Sequence, residues 1–446
     1  MNKLGSFPTL FVVPFLLCQG LIAQSSPNDW PGFLGPGRDS KSPQKHISKD
    51  WSDGKLRLVW QHKIGESYAA PSIAGKEVYL FDRVRNENVL KRLSSEDGKE
   101  IWRYSYETDY RDMYGYNNGP RCSPIIHGNQ IIIYGSEGEL HCLDRKSGEK
   151  IWSVDTAKKY GVVQNFFGVG SSPVVFKDLL ICMVGGSPDE SQSLPQGRLD
   201  LAKPNKSAVV AFRLEDGKEQ YRVGNDLASY ASMAVRKING KPVGLAFCRS
   251  GLIGFEPSNG KQLFDFPWRA RSLESVNAST PIVFSKNKIF LSECYSIGSV
   301  LLEWNGEKLD VVWKDGRGRE QKMMTHWNTP IEFEGSIYGS SGRHSRDAEL
   351  RCIDAMSGDV KWIKKGLSRS TLTWVDGHFV LLTEYGRLML IKVNDEKFEF
   401  VTEFEPKDES VKLRYPCWAA PVIANGKMYV LSNDALFCFQ LGKQPD

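Results

Sequence analysis

The sequence has no pair of adjacent cysteines, no Cys-x-x-Cys and no Cys-x-x-Cys-His, although nine cysteines occur in its 446 residues. A c-type haem attachment site is thereby excluded. There is no Lys/Arg block, and the net charge is only +5, so the electrostatic footprint of a nucleic-acid partner is missing. Beyond the N-terminal stretch no apolar run is long enough to span a bilayer. No nucleophile-elbow sequence supports a hydrolase triad. His326 has no second His or Cys at ligand spacing, so it does not mark a metal site. Apolar residues at 41% and charged residues at 25% are ordinary for a globular chain.

What is plentiful is glycine, at 41, and tryptophan, at 12. They recur in register. The stretch ELHCLDRKSGEKIW, 139–152, returns as ELRCIDAMSGDVKW, 349–362, with Cys, Asp, Gly and Trp in matching places. Shorter echoes are SSEDGKEIW, RLEDGKEQY and EPSNGKQLF. Gly98, Gly148, Gly217, Gly260 and Gly358 are each followed four residues later by Trp, Tyr or Phe. Such periodicity marks a repeat protein.

The repeating unit reads as four strands. A small residue and proline open most units, as in APSIAGKEVYLF, SPIIHGNQIIIY and APVIANGKMYVL. Runs rich in Val, Ile and Tyr, separated by Gly, Asn and Asp turns, are strands. A third strand, the glycine turn and a fourth strand ending on an aromatic complete the unit. Ends fall at Trp102, Trp152, Tyr221, Phe264, Trp313, Trp362 and about Phe404, with an eighth unit reaching the C-terminal region. Units of roughly forty to fifty residues have the size of propeller blades. The last unit stops after its third strand, ALFCFQL (435–441), whereas LRLVW (56–60) is a strand with no partner before it. Joining the two closes the ring and removes its open edges. The expected fold is all-β: an eight-bladed β-propeller of four-stranded antiparallel blades, velcro-closed by the N-terminal strand. Residues 185–207, rich in Pro, Ser and Gly, form a long loop in the third unit.

Residues 1–23 read as a secretory signal peptide: Lys3, then a largely apolar run to Ala23. Leu17 is not the small residue a lipid-modification site needs before Cys18, so lipid anchoring is not expected. Residues 24–55 form an N-terminal extension lying on the propeller of residues 56–441, with Trp30, Phe33 and Trp51 as anchors. The chain is expected to be periplasmic or secreted and monomeric. Its cysteines sit in strand slots and read as buried small hydrophobes.

On WPGFLGPGRDS (30–40), GPRCSPIIHGNQIIIYGSEGELHCLD (119–144), HWNTP (326–330) and the Asp, Gly and Trp repeat, the chain resembles the PQQ-like (quinoprotein-type) eight-bladed propellers. Within that group it is most similar to BamB-like secreted bacterial proteins, and the likeness covers nearly all of the mature chain. The resemblance implies either a scaffold that binds a protein or a saccharide, or a dehydrogenase carrying PQQ and calcium and acting on an alcohol or sugar. Quinoprotein dehydrogenases are longer, and many carry adjacent cysteines that this chain lacks. A binding role is therefore the expected function, with no cofactor assigned.

In a propeller the loops leading into the innermost strands gather around the channel on one face. Function is sought there, in residues that do not repeat. The candidates are Tyr68, Asn118, Arg121, Asn165, Phe167, Tyr230, Asn277, His326, Trp327 and Trp418. Aromatics, amides and a few cations suit a polar, flat or sugar-like ligand. Glu66, Glu274, Asn165 and Asn277 are the groups a calcium would need to draw together. No catalytic residue is identified.

Overall fold

The computed structural model describes residues 26–195, 197–316 and 321–442. Within them the chain forms eight sheets, each with four antiparallel strands, and one sheet gains a fifth strand. Blade 1 shows the pattern, with strands Ser72–Ala74, Glu77–Val84, Glu87–Ser94 and Glu100–Glu107. Its innermost strand is three residues long and wholly buried, while its outermost alternates between half-buried and exposed residues. Strands crowd at the axis and splay outward as each blade twists, so short inner strands are a geometric requirement.

The eighth blade takes Val422–Ala424, Lys427–Leu431 and Ala435–Gln440 from the end of the chain and Arg57–Lys63 from its beginning. Arg57 to Lys63 runs antiparallel to Gln440 to Ala435, so the velcro closure is present. Trp60, Trp152 and Trp362 lie directly opposite Cys438, Cys142 and Cys352 in the adjoining strand. All eight cysteines among the described residues are free and buried.

The repeated residues build the contacts between blades. The ring of Trp60 covers Gly98, and Trp102, Trp152, Tyr221 and Trp313 cover Gly148, Gly217, Gly260 and Gly358. Four of these aromatics also donate a hydrogen bond to a backbone carbonyl three residues before that glycine. They are Trp60 to Ser95, Trp152 to Leu214, Tyr221 to Pro257 and Trp313 to Ala355, at 2.8–3.4 Å. Asp144 and Asp354 each accept from two turn amides at 2.8–2.9 Å. Gly148 has φ +77°, and a Cβ there would lie 2.9 Å from the Trp102 ring. Gly148→Ala is expected to cost at least about 2 kcal/mol in chemical denaturation, combining left-handed strain with a clash. Gly75→Ala, at φ +55° with nothing within 4 Å, should show the strain alone. Equal losses would mean the aromatic contact contributes nothing.

Blade 7 departs from the repeat. The aromatic slot expected near Phe404 is occupied by Thr402, which faces Leu390 as Trp362 faces Cys352. A threonine is too short to reach the next blade. Trp51, 0% exposed, fills the gap from the N-terminal side: its backbone N–H donates to Thr402 Oγ1 at 3.1 Å. Its ring joins the cluster that holds Phe404, Leu390 and Phe439.

Residues 30–42 cross the ring beneath the channel. Trp30 bridges to Ile73 of blade 1, and Ile126 of blade 2 donates to Pro31 O at 2.8 Å. Arg38 donates to Pro173 O and Met233 O of blades 3 and 4. Lys41–Ser42 adds the fifth, parallel strand to blade 7 beside Trp374 and Val375, and Ser42 Oγ donates to Ile423 O of blade 8. A small recess beside Arg38 and Lys41 is shared with Pro281 and Pro330 of blades 5 and 6. The segment is thus bonded to six blades and borders a recess against the other two. The expected signal peptide lies outside the described residues, within which no helix is long and apolar enough to cross a membrane.

Candidate functional site

Above that segment lies a cavity of about 550 Å³. Its walls come from the loops before the innermost strands and from loops between the second and third strands of blades 5 and 6. Its floor comes from Trp30, Phe33, Leu34 and Ser40. Of the ten candidates, Tyr68, Arg121, Phe167, Tyr230, His326, Trp327 and Trp418 line it. They form a contact path around the wall. His326 meets Trp327 at 5.0 Å between ring centroids, Trp327 meets Trp418 at 5.1 Å, and Trp418 meets Tyr68 at 4.7 Å. Arg121 stands 5.7 Å over Tyr68. Next to Arg121, Phe167 meets Tyr230 at 5.5 Å, and the Phe167 N–H donates to the Tyr230 hydroxyl at 2.8 Å.

The three asparagines do not reach the wall. Asn118 Oδ1 accepts from the Asp112 N–H, and its own N–H donates to Glu66. Asn165 donates to Ala228 O and accepts from the Phe166 N–H. Asn277 is 0% exposed and its amide serves the carbonyls of Cys248 and Trp268. A short amide satisfies loop backbone more readily than it spans a funnel. All three are used to shape the loops that carry the lining residues.

The same engagement decides the fit of a calcium ion. Asn165 and Asn277 point their amides at carbonyls, Glu66 is bonded to the Asn118 N–H, and Glu274 is bonded to Ser272. Asn277 Oδ1 is left buried without a partner. Among the described residues no three His, Cys, Asp or Glu side chains are grouped to hold a metal. The carboxylate cluster that a calcium centre would draw on is therefore not among them.

Two arginines in the wall are held by buried carboxylates. Arg121 donates to Asp112 Oδ2 at 2.6 Å and to Asn117 O at 2.6 Å. Arg369 is gripped by both oxygens of Glu384 at 2.6–3.1 Å and lies 4.5 Å over Trp327. Burial alone would push the Glu384 carboxyl up, but the Arg369 hydrogen bonds and charge hold it below the usual range. Arg343 rests 4.3 Å over Tyr295. Burial, then the charges of Arg369, Arg343 and His344, lower His326 to about 3, so its imidazole is neutral at ordinary pH.

Behind Tyr295 sits Glu293, 1% exposed, accepting from Ser275 Oγ at 2.7 Å and the Tyr295 N–H at 2.8 Å. Burial pushes its carboxyl up to about 7 from 4.5. The folded state therefore keeps a proton that the unfolded chain loses between these values, so this group removes stability as pH rises from 4.5 to about 7. Glu293→Gln should flatten that part of the stability profile measured by denaturation at pH 5 and pH 8. An identical decline in both proteins would exonerate Glu293.

Tyr295, Arg343 and His344 come from the second-to-third strand loops on the same face, and the floor residues from the N-terminal segment, so none of them is marked by its place before an innermost strand. The 185–207 loop also reaches this side, where Leu199 packs with Phe166 and Val276.

A family model described as outer membrane protein assembly factor BamB matches residues 44–192 and 86–364. A quinohemoprotein alcohol dehydrogenase, ADH-IIG of Pseudomonas putida, is 24% identical over 215 residues, covering 45% of this chain and 26% of that protein. The chain thus spans about a quarter of that relative's length. Among solved structures, BamB from Moraxella catarrhalis superposes with TM-score 0.58 at 11% identity, covering 88% of this chain and 99% of that one. A quinohemoprotein alcohol dehydrogenase from Comamonas testosteroni gives TM-score 0.66 at 12% identity, covering 95% of this chain and 82% of that one. At such identities the likeness speaks for the fold alone.

Proposed function

This chain belongs to the BamB family of PQQ-like propellers, and from that premise we propose that it is a binding protein whose funnel cavity takes a small polar ligand. The observation that carries this reading is the continuous wall running from His326 through Trp327, Trp418 and Tyr68 to Arg121, around a cavity floored by the N-terminal segment. A cavity of about 550 Å³ falls within the roughly 300–1,000 Å³ of small-ligand sites. Tyr68, Arg121, Phe167, Tyr230, His326, Trp327 and Trp418 are the contact residues. Asn118, Asn165 and Asn277 support them from behind. The protein is exported through residues 1–23 and works as a monomer, with residues 24–55 completing the 56–441 propeller. The family's description as an assembly factor fits a further protein partner at the funnel rim.

The second reading is a quinone-dependent dehydrogenase, which two of the similar proteins are by name. An optical test separates the two. With PQQ and calcium added, the purified protein is expected to show no stoichiometric quinone spectrum and no dye reduction. A clear positive on both would move the protein to the dehydrogenases. Protein isolated from its native source should release a small molecule on denaturation, seen as a mass difference between native and denatured forms. A ligand-free native form that also takes up nothing offered to it would end the binding reading.

A further inference from the structure

We propose that the cavity is a receptor site for the end of a neutral oligosaccharide, its terminal ring set against Trp418 and Tyr68; this rests on the binding reading above.

Ring geometry is the first argument. Trp418 meets Tyr68 at an interplanar angle of 48°, Trp327 at 45° and Tyr116 at 63°. Tilted rings make a bowl, not a slot. A flat fused aromatic is best held between parallel faces, whereas a puckered sugar ring presents its C–H face to one aromatic and its hydroxyls around the edge.

Charge is the second. Arg121 and Arg369 in the wall are ion-paired with Asp112 and Glu384, and Glu274, bonded to Ser272, is close enough to feel the charge of Arg343. Three positive and three negative groups leave no net charge from arginines and carboxylates, and His326 is neutral. Such a wall gives a polyanion no field to follow. Glu384 grips Arg369 through Nε and Nη2 and so fixes its guanidinium as an oriented donor for hydroxyls, whereas the Nη atoms of Arg121 are taken by Gly119, Ser136, Asp112 and Asn117 and hold the loop.

Unmet polar atoms are the third. His326 Nδ1 and Thr371 Oγ1 belong to cavity-lining residues, are shielded from solvent, and have no hydrogen-bond partner. Leaving such groups unpaired costs about 1–3 kcal/mol each. A turn of either side chain toward the cavity would bring it within reach of a ligand hydroxyl, which both donates and accepts.

The floor makes the site one for chain ends. Trp30, Phe33 and Leu34 close the channel, so a glycan cannot thread through. Outward, Tyr116 at 59% and Tyr415 at 44% exposure continue the aromatic surface to the mouth, where the next rings would lie.

The test is calorimetric titration of the full-length mature protein. Probes are linear glucose, xylose, mannose and N-acetylglucosamine hexaoses, a cyclic glucan with no chain end, a galacturonate hexaose, and PQQ. At least one neutral linear hexaose is expected to bind with Kd at or below about 1 mM. The cyclic glucan should not bind. Trp418→Ala should weaken the neutral hexaose at least ten-fold, with Trp418→Phe recovering most of the loss and circular dichroism confirming the fold of both. Binding of galacturonate hexaose or PQQ without any neutral hexaose would overturn the saccharide assignment and leave the binding reading standing. Binding of the cyclic glucan as tightly as the linear one would overturn end recognition. A neutral hexaose unaffected by Trp418→Ala would place its site elsewhere and overturn the proposal. No binding by any probe overturns the proposal, while a ligand released from native-source protein would still uphold the binding reading.

Discussion

Trp60→Ala is expected to lower stability by about 3–5 kcal/mol in chemical denaturation, the cost of deleting a large buried aromatic. Trp60 is 7% exposed, covers Gly98 of blade 1, and donates to Ser95 O at 2.9 Å. It stands in the strand Arg57–Lys63, so one side chain links the last blade to the first at the point where the chain's two ends meet. Alanine removes its ring from the cluster containing Val78, Leu93 and Tyr429 and leaves the Ser95 carbonyl with Lys427 as its remaining donor. Against a typical total of about 5–15 kcal/mol, such a loss should bring unfolding near ordinary temperatures. Trp102→Ala is the internal comparison: that indole is half-buried and its Nε1 has no partner, so its loss should be smaller. If the two variants lose the same amount, closure by the N-terminal strand carries no special weight.

Trp30→Ala should be comparably costly, again about 3–5 kcal/mol, and should also alter the cavity. Trp30 is 2% exposed and packs with Ile73, Val422 and Ala424. Its ring lies against Gly35, where a Cβ would fall 2.8 Å away, so the turn that starts the crossing is built around it. Its Nε1 has no hydrogen-bond partner, so the loss is one of packing alone. Because Trp30 lines the cavity floor, its loss should loosen residues 30–42 and raise binding of a hydrophobic dye, with faster amide exchange in the innermost strands. Loss of stability with unchanged dye binding and exchange would mean the floor holds without its anchor.

Much of the propeller was legible because its interfaces repeat. Gly148 and Trp102, Gly217 and Trp152, and Gly260 and Tyr221 solve one packing problem in successive blades, so the solution is written several times. The stretch 139–152 belongs to this class. Its His141 accepts or donates with the Tyr104 hydroxyl at 2.8 Å and stacks on Tyr106, and burial lowers it to about 4. It packs a blade. Blade 7 uses a different solution that no repeat announces: Thr402 breaks the series and Trp51, some 350 positions earlier, compensates.

The funnel was legible only in part. Aromatics such as Tyr68, Phe167 and Trp418 could be placed because blade topology puts the loop before each innermost strand on one face. The asparagines could not be separated from them, since whether an amide faces a cavity or a carbonyl depends on contacts such as Asn277 with Cys248 and Trp268.

By itself the sequence determined the blade number, the order of strands and the closing partner, because each follows from local periodicity and from one orphan strand matching one incomplete unit. Only the tertiary structure decided what stands in the channel. Residues 30–42 have no repeat and no period, and their place across the ring depends on hydrogen bonds such as Arg38 to Met233 O and Ser42 to Ile423 O, formed between residues 195 and 381 positions apart. Contacts at such separations form only once the ring has closed, and they leave no trace in local sequence pattern.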